Sequence, residues 1–152
     1  MSGSVSLTGK DTIIINSRIM NDFADGDVVS IDYPNNLVEV KTGKNGNSIY
    51  AYNASGENST ATLRIIRGSA DDKFLNGIQA EYRIDPASFP LITSEFIKRA
   101  GDGKGGVTSD IAKLSGGVVQ KLPAVKENVD GDTEQSITVW QIAFTNAERI
   151  IS

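Results

Sequence analysis

A two-residue alternation of apolar and polar side chains, interrupted every few positions by turn residues, runs through this chain up to Arg67. In Val28-Val-Ser-Ile-Asp-Tyr33, the residues Val29, Ile31 and Tyr33 share one side while Ser30 and Asp32 point to the other. That period belongs to a half-buried strand. Asp11–Asn16 is β-branched, and Ser59–Arg67 aligns Ala61, Leu63 and Ile65 on one face. Leu37–Lys41 and Ser48–Tyr52 flank the polar stretch Thr42–Asn47 and read as a hairpin. Asp25-Gly-Asp27, Pro34-Asn-Asn36 and Asn53–Asn58 supply turns. Five strand-like runs before any helical one predict an antiparallel sheet.

The helical period appears next. Phe74, Leu75, Ile78 and Tyr82 recur at helical spacing, Ser69 stands three residues before Asp72 as an N-cap, and Asp85-Pro86 closes the run. This predicts one helix over about residues 70–84, with Asp71 and Asp72 in its first turn where the helix dipole favours carboxylates. Leu91–Arg99 fits a strand or a short helix, and Gly101–Gly106 reads as a flexible loop. The last third resolves into four strand-like runs, Ile111–Leu114, Gly117–Lys121, Ala124–Glu127 and Ser136–Phe144, with the turn Asp130-Gly-Asp132 before the last. In that final run Ile137, Val139 and Ala143 oppose Trp140, Ile142 and Phe144, so both faces are apolar. Burial on two sides follows, in a core or beneath a neighbouring subunit. The expected fold is mainly β: an antiparallel sandwich or half-barrel with one flanking helix, as a single domain over 1–152.

Composition removes most catalytic chemistry. The 152 residues include no histidine and no cysteine, so no disulfide, thiolate, imidazole base or Cys/His zinc site can be built. A cysteine-free chain fits a reducing compartment. Gly101-Asp-Gly-Lys-Gly-Gly106 satisfies G-x-G-x-x-G but lacks the strand and helix that would aim backbone amides at a pyrophosphate. The acidic pairs Asp25/Asp27, Asp71/Asp72 and Asp130/Asp132 fit turns and a helix cap better than a cation loop. Asn53-Ala-Ser55 and Asn58-Ser-Thr60 read as polar turns, and Trp140 as a packing anchor. The bases Arg64, Arg67, Arg83, Lys98 and Arg99 lie among acids, and the net charge is −4, which disfavours a grip on phosphate backbones. Apolar runs are too short to span a bilayer, and the N-terminus lacks the pattern of a secretory signal. No enzyme, cofactor, metal site or membrane attachment is expected.

Three stretches carry a resemblance. They are Asp27–Tyr33 after Asn21-Asp-Phe-Ala-Asp25, the strand-to-helix run Ala61–Asn76, and Gly117–Lys126 followed by Ile137-Thr-Val-Trp-Gln-Ile142. In element order and polarity the chain resembles the tail tube proteins of contractile-tailed bacteriophages and related phage-tail-like particles. The resemblance implies a structural virion protein, assembled in the host cytoplasm, whose copies form stacked hexameric β-barrel rings around a lumen for the genome. Its partners would be further copies of itself, tail sheath, baseplate and tail terminator proteins, with DNA only as non-specific cargo.

On that basis Trp140, Ile142 and Phe144 are the candidate subunit-interface residues. Thr42, Lys44, Asn45, Asn47, Asp102 and Lys104 are candidates for loops that order when ring meets ring. A tube initiator or terminator, or a secretion-apparatus tube, would share the fold. A monomeric β-sandwich that binds sugars or peptides is the alternative of another class.

Overall fold

A computed structural model describes residues 6–7, 12–23, 29–124 and 136–151. The turns at Asp25–Asp27 and Asp130–Asp132, and nearly all of the expected strand Ala124–Glu127, lie outside the described residues. In chain order the elements are β1 (Ser6–Leu7), β2 (Thr12–Ile15), β3 (Arg18–Ile19), β4 (Val29–Asp32), β5 (Val38–Thr42), β6 (Ser48–Tyr52), β7 (Ser59–Ile66), α1 (Ala70–Ile84), β8 (Ile92–Gly101), β9 (Val107–Ala124) and β10 (Ile137–Ile151). A 3-10 turn at Ala54–Glu57 links β6 to β7.

Eight strands form one antiparallel sheet in the order β3-β2-β8-β9-β10-β7-β4, with β1 paired to β8; β5 and β6 form a separate hairpin. The large sheet is open, and it curls. Ile31 of β4 lines the same cavity as Ala112 of β9, although β7 and β10 lie between them in the sheet. The architecture is the expected half-barrel with one helix.

The core fills the inside of that curl. Along β7 the even positions are half-buried or exposed while Ala61, Leu63 and Ile65 are fully buried, the alternation that the sequence shows. Across the ladder Trp140 lies opposite Leu63, and Ile142 opposite Ala61. Leu75 and Ile78 of α1 join the same apolar cluster, as do Ile13, Ile15, Ile92, Phe96 and Leu114. Each fully buried side chain of this size contributes roughly 1.5–3 kcal/mol by leaving water.

The helix begins where its caps dictate. Ser69 accepts a hydrogen bond from the Asp72 amide, and Asp85 ends the helix immediately before Pro86. The two acids of the first turn do more than complement the dipole. Asp71 is 1% exposed, and its carboxylate accepts from the Asn21 and Asp22 backbone amides at 2.6 and 2.7 Å. The Arg18 guanidinium completes the set, donating through Nε at 3.2 Å and Nη2 at 3.1 Å while lying over the Phe74 ring. Asp72 accepts from the indole N–H of Trp140 at 2.9 Å and from the Gly68 amide. One carboxylate therefore ties the segment after β3 to the helix, and its neighbour ties the helix to the sheet.

One open reading is decided, and two strands are redrawn. Of the strand and short helix left open for Leu91–Arg99, the strand is found, as β8 from Ile92 to Gly101, because Ile92, Ser94 and Phe96 alternate into the core. The separate runs Ile111–Leu114 and Gly117–Lys121 belong to one strand, β9, which starts at Val107 and reaches Ala124. Its breaks are bulges. Ile92 and Ser94 of β8 pair with Gly117 and Leu114, so β9 carries one extra residue there, beside Gly116 at φ +67°. Because strand side chains alternate, that residue changes which positions face inward: Ala112 and Leu114 before it, Gly117 and Val119 after it. A second irregularity spans Pro123, which has no amide to donate to the ladder. Strand β10 also runs seven residues past the expected end at Phe144, to Ile151.

The buried Asp71 carboxylate is the shared acceptor of two backbone amides and one guanidinium. Asp71→Ala leaves two amides and a guanidinium without their acceptor and lowers stability by about 3 kcal/mol, read from the urea midpoint of the dispersed chain.

Candidate assembly surface

The interface candidates on β10 occupy the interior of a single chain. Trp140, Ile142 and Phe144 are 1%, 0% and 2% exposed, covered by the curled sheet and α1. Of the two covers the sequence left open, a core or a neighbouring subunit, a single chain already supplies the core. The other side of β10 is half-buried at Val139, Gln141 and Ala143 and pairs with Arg64, Thr62 and Thr60 of β7.

Uncovered apolar surface is concentrated instead on the β5–β6 hairpin. Every residue of both strands is exposed. The register places Val38 opposite Tyr52 and Val40 opposite Tyr50, which puts these four side chains on one face. Glu39, Ala51, Lys41 and Ile49 occupy the other face. Val40, Tyr50 and Tyr52 are 57%, 71% and 65% exposed. A two-stranded hairpin exposed on both faces is marginal in water without a third layer.

At its base the hairpin is anchored firmly. The Asn53 amide donates to the Leu37 carbonyl at 2.7 Å, Asn53 caps the 3-10 turn, and Gly56 packs so closely on Leu37 that a Cβ there would collide with backbone. Tyr52 donates to Glu57 at 3.1 Å, and this carboxylate partner holds the phenol above its usual pKa. The sequence showed the hairpin. Its lack of cover was not legible, because alternation is the same in a covered strand and an exposed one.

The six loop candidates sit at two exposed hairpin tips. Thr42, Lys44, Asn45 and Asn47 lie at or between the ends of β5 and β6, where the Gly43 amide donates to the Asn47 carbonyl. Asp102 and Lys104 form the β8–β9 turn. There the Asp102 carboxylate accepts from the Lys104 and Gly106 amides at 2.7 and 3.0 Å, which holds it below the usual carboxylate pKa. Both loops close on hydrogen bonds of their own within one chain.

A concave feature lies between the edge strand β4 and strands β8–β10. A cavity of about 380 Å³ has Ile31, Phe96 and Ala112 as apolar walls, with Tyr33, Lys98, Asp110 and Arg149 around them. Asp110 and Arg149 face each other in a two-point ion pair at 2.7 and 2.9 Å. The guanidinium hydrogen bond holds the Asp110 carboxyl below its usual pKa. Among the described residues no group of acids could hold a metal ion, and no helix is long and apolar enough to cross a membrane.

The sequence matches no protein-family model and no curated protein. Comparison with solved structures finds the same fold in particle components. One chain from the cryo-EM structure of an extracellular contractile injection system, the PVC sheath/tube terminator in the extended state, aligns with a TM-score of 0.56 at 13% identity, covering 93% of this chain and 92% of that one. A chain of the PVC sheath-tube complex in the extended state aligns with a TM-score of 0.52 at 13% identity, covering 93% and 87%. The expected fold is thus that of sheath and tube components of a contractile injection system.

Two measurements separate core from surface. Phe144→Ala lowers the stability of the dispersed chain by about 4 kcal/mol, whatever its assembly state. The Asp110 carboxyl, followed by NMR, titrates below the ordinary value of 3.8, and Arg149→Ala returns it there. Because the folded pKa is depressed, the pair's stabilisation is present above the unfolded value and is lost as pH falls through the lower folded one.

Proposed function

We propose that this chain is a structural subunit of the tube of a contractile, phage-tail-like particle, acting by repetition and without catalysis. The fold shared with sheath and tube components supports the setting. The observation that carries the proposal is the β5–β6 hairpin, an anchored arm with a bare Val38–Val40–Tyr50–Tyr52 face. An arm of this kind, projecting from a chain whose core is already complete, is suited to lie on a second copy. The arm of one copy would meet a different surface on the next, so the contact is head to tail and closes a ring when the rotation permits. Rings of six copies, stacked by the tips at Thr42–Asn47 and Asp102–Lys104, would enclose a lumen.

A net charge of −4 suits a conduit whose cargo passes without being held, whether that is DNA or the contents of a particle that carries none. The exposed side of α1, including Ile84 at 84% exposure, is the surface we assign to an outer sheath. Baseplate and terminator proteins would meet the two ends of the stack, and the chain would reside in the tail of the assembled particle. The likeness to a sheath/tube terminator supports a second reading, one ring that ends the tube. Counting rings per particle against sheath subunits by mass ratio decides between them.

The purified chain, concentrated or seeded with baseplate, should form hollow rings or ring stacks by negative-stain microscopy. Val40→Asp places a carboxylate on the arm's apolar face and abolishes those assemblies, while the thermal midpoint of the dispersed chain stays within about 2 °C of the parent. A parent that remains monomeric under every condition contradicts the proposal.

A further inference from the structure

We infer that the cavity between β4 and strands β8–β10 is the seat for the arm, and that it takes the Tyr50 side chain of a second copy of this chain. The inference rests on the self-assembly proposed above and adds a specific receptor to it. The chemistry of the two surfaces matches. Ile31, Phe96 and Ala112 offer an apolar slot, and the Asp110–Arg149 pair fixes a carboxylate and a guanidinium beside it. An aromatic ring with a polar tip fits such a site: the ring leaves water against the apolar walls, and the hydroxyl can donate to the carboxylate or accept from the guanidinium.

Tyr50 is the tyrosine placed to do this. It is the more exposed of the two tyrosines on the arm's apolar face, at 71%, whereas the Tyr52 hydroxyl is already committed to Glu57. Val40 lies directly opposite Tyr50 in the hairpin, so a seated ring would carry that valine to the cavity's margin. The position of the cavity also fits. It opens beside the edge strand β4, and an arm laid across it would cover its apolar walls. A buried aromatic anchor in a preformed pocket is the kind of contact that dominates an interface.

The absence of cysteine permits a direct test. Single-cysteine chains Tyr50→Cys and Ala112→Cys, mixed and oxidised under assembly conditions, should give the mixed disulfide dimer. A control pair of Ala80→Cys on the helix with Tyr50→Cys should not. Tyr50→Ala should raise the concentration needed for assembly by about tenfold or more, and Tyr50→Phe by less. Ala112→Phe, which fills the slot, should match Tyr50→Ala; an unchanged urea midpoint for each variant keeps folding out of the comparison.

Assembly by Tyr50→Ala at the parent's concentration, with no disulfide between the Tyr50→Cys and Ala112→Cys chains, overturns the inference and leaves the tube proposal standing. A disulfide formed only within one chain of the double variant also overturns it, since the arm then folds back on its own cavity. A parent chain that never assembles overturns both.

Discussion

A carboxylate out of reach of water holds this fold at its junction. Asp71 sits at the first turn of α1 with two backbone amides and a guanidinium donating to it, and these donors come from β3 and the segment after it. Burying an ionised group is unfavourable unless each lone pair is met, so the geometry around Asp71 tolerates little change. Much else follows from its position. The helix can lie only where its N-terminus meets that segment, and the Asp72 contact to Trp140 then sets the helix over the core. With the helix seated, Leu75 and Ile78 complete the apolar cluster, and Trp140, Ile142 and Phe144 have no surface left to offer.

Local patterns in the sequence were a reliable guide wherever one strand or one helix decides its own period. The helix limits follow from Ser69 and Asp85-Pro86, and the arm from the alternation on either side of Thr42–Asn47. Strand β9 was illegible for a physical reason. Its bulges shift the inward-facing positions from even to odd numbers, so a single strand carries two phases, and Gly116-Gly117 looks like a break. The Asp71 contact was equally hidden, because its Arg18 partner lies 53 residues away and only the fold brings them together.

The candidate site shows the same division. Both apolar faces of β10 were visible as a pattern, but which neighbour covers them depends on the curl of the sheet and the placement of the helix. Tyr50 and Val40 read as ordinary strand residues, since alternation does not distinguish a strand in a sheet from one in open water. The cavity involves β4, β8, β9 and β10 at once, and none of its lining residues forms a sequence motif.

The hairpin's anchorage has a consequence for direction. Its base is closed by the Asn53–Leu37 hydrogen bond and by Gly56 against the Leu37 backbone, so its two strands leave the chain as one unit. A chain with a single rigid arm has a front and a back. A ring closed through that arm inherits the direction: every arm points the same way around it, and no copy is left terminal. The two faces of such a ring are chemically different, so a stack of rings presents a different surface at each end.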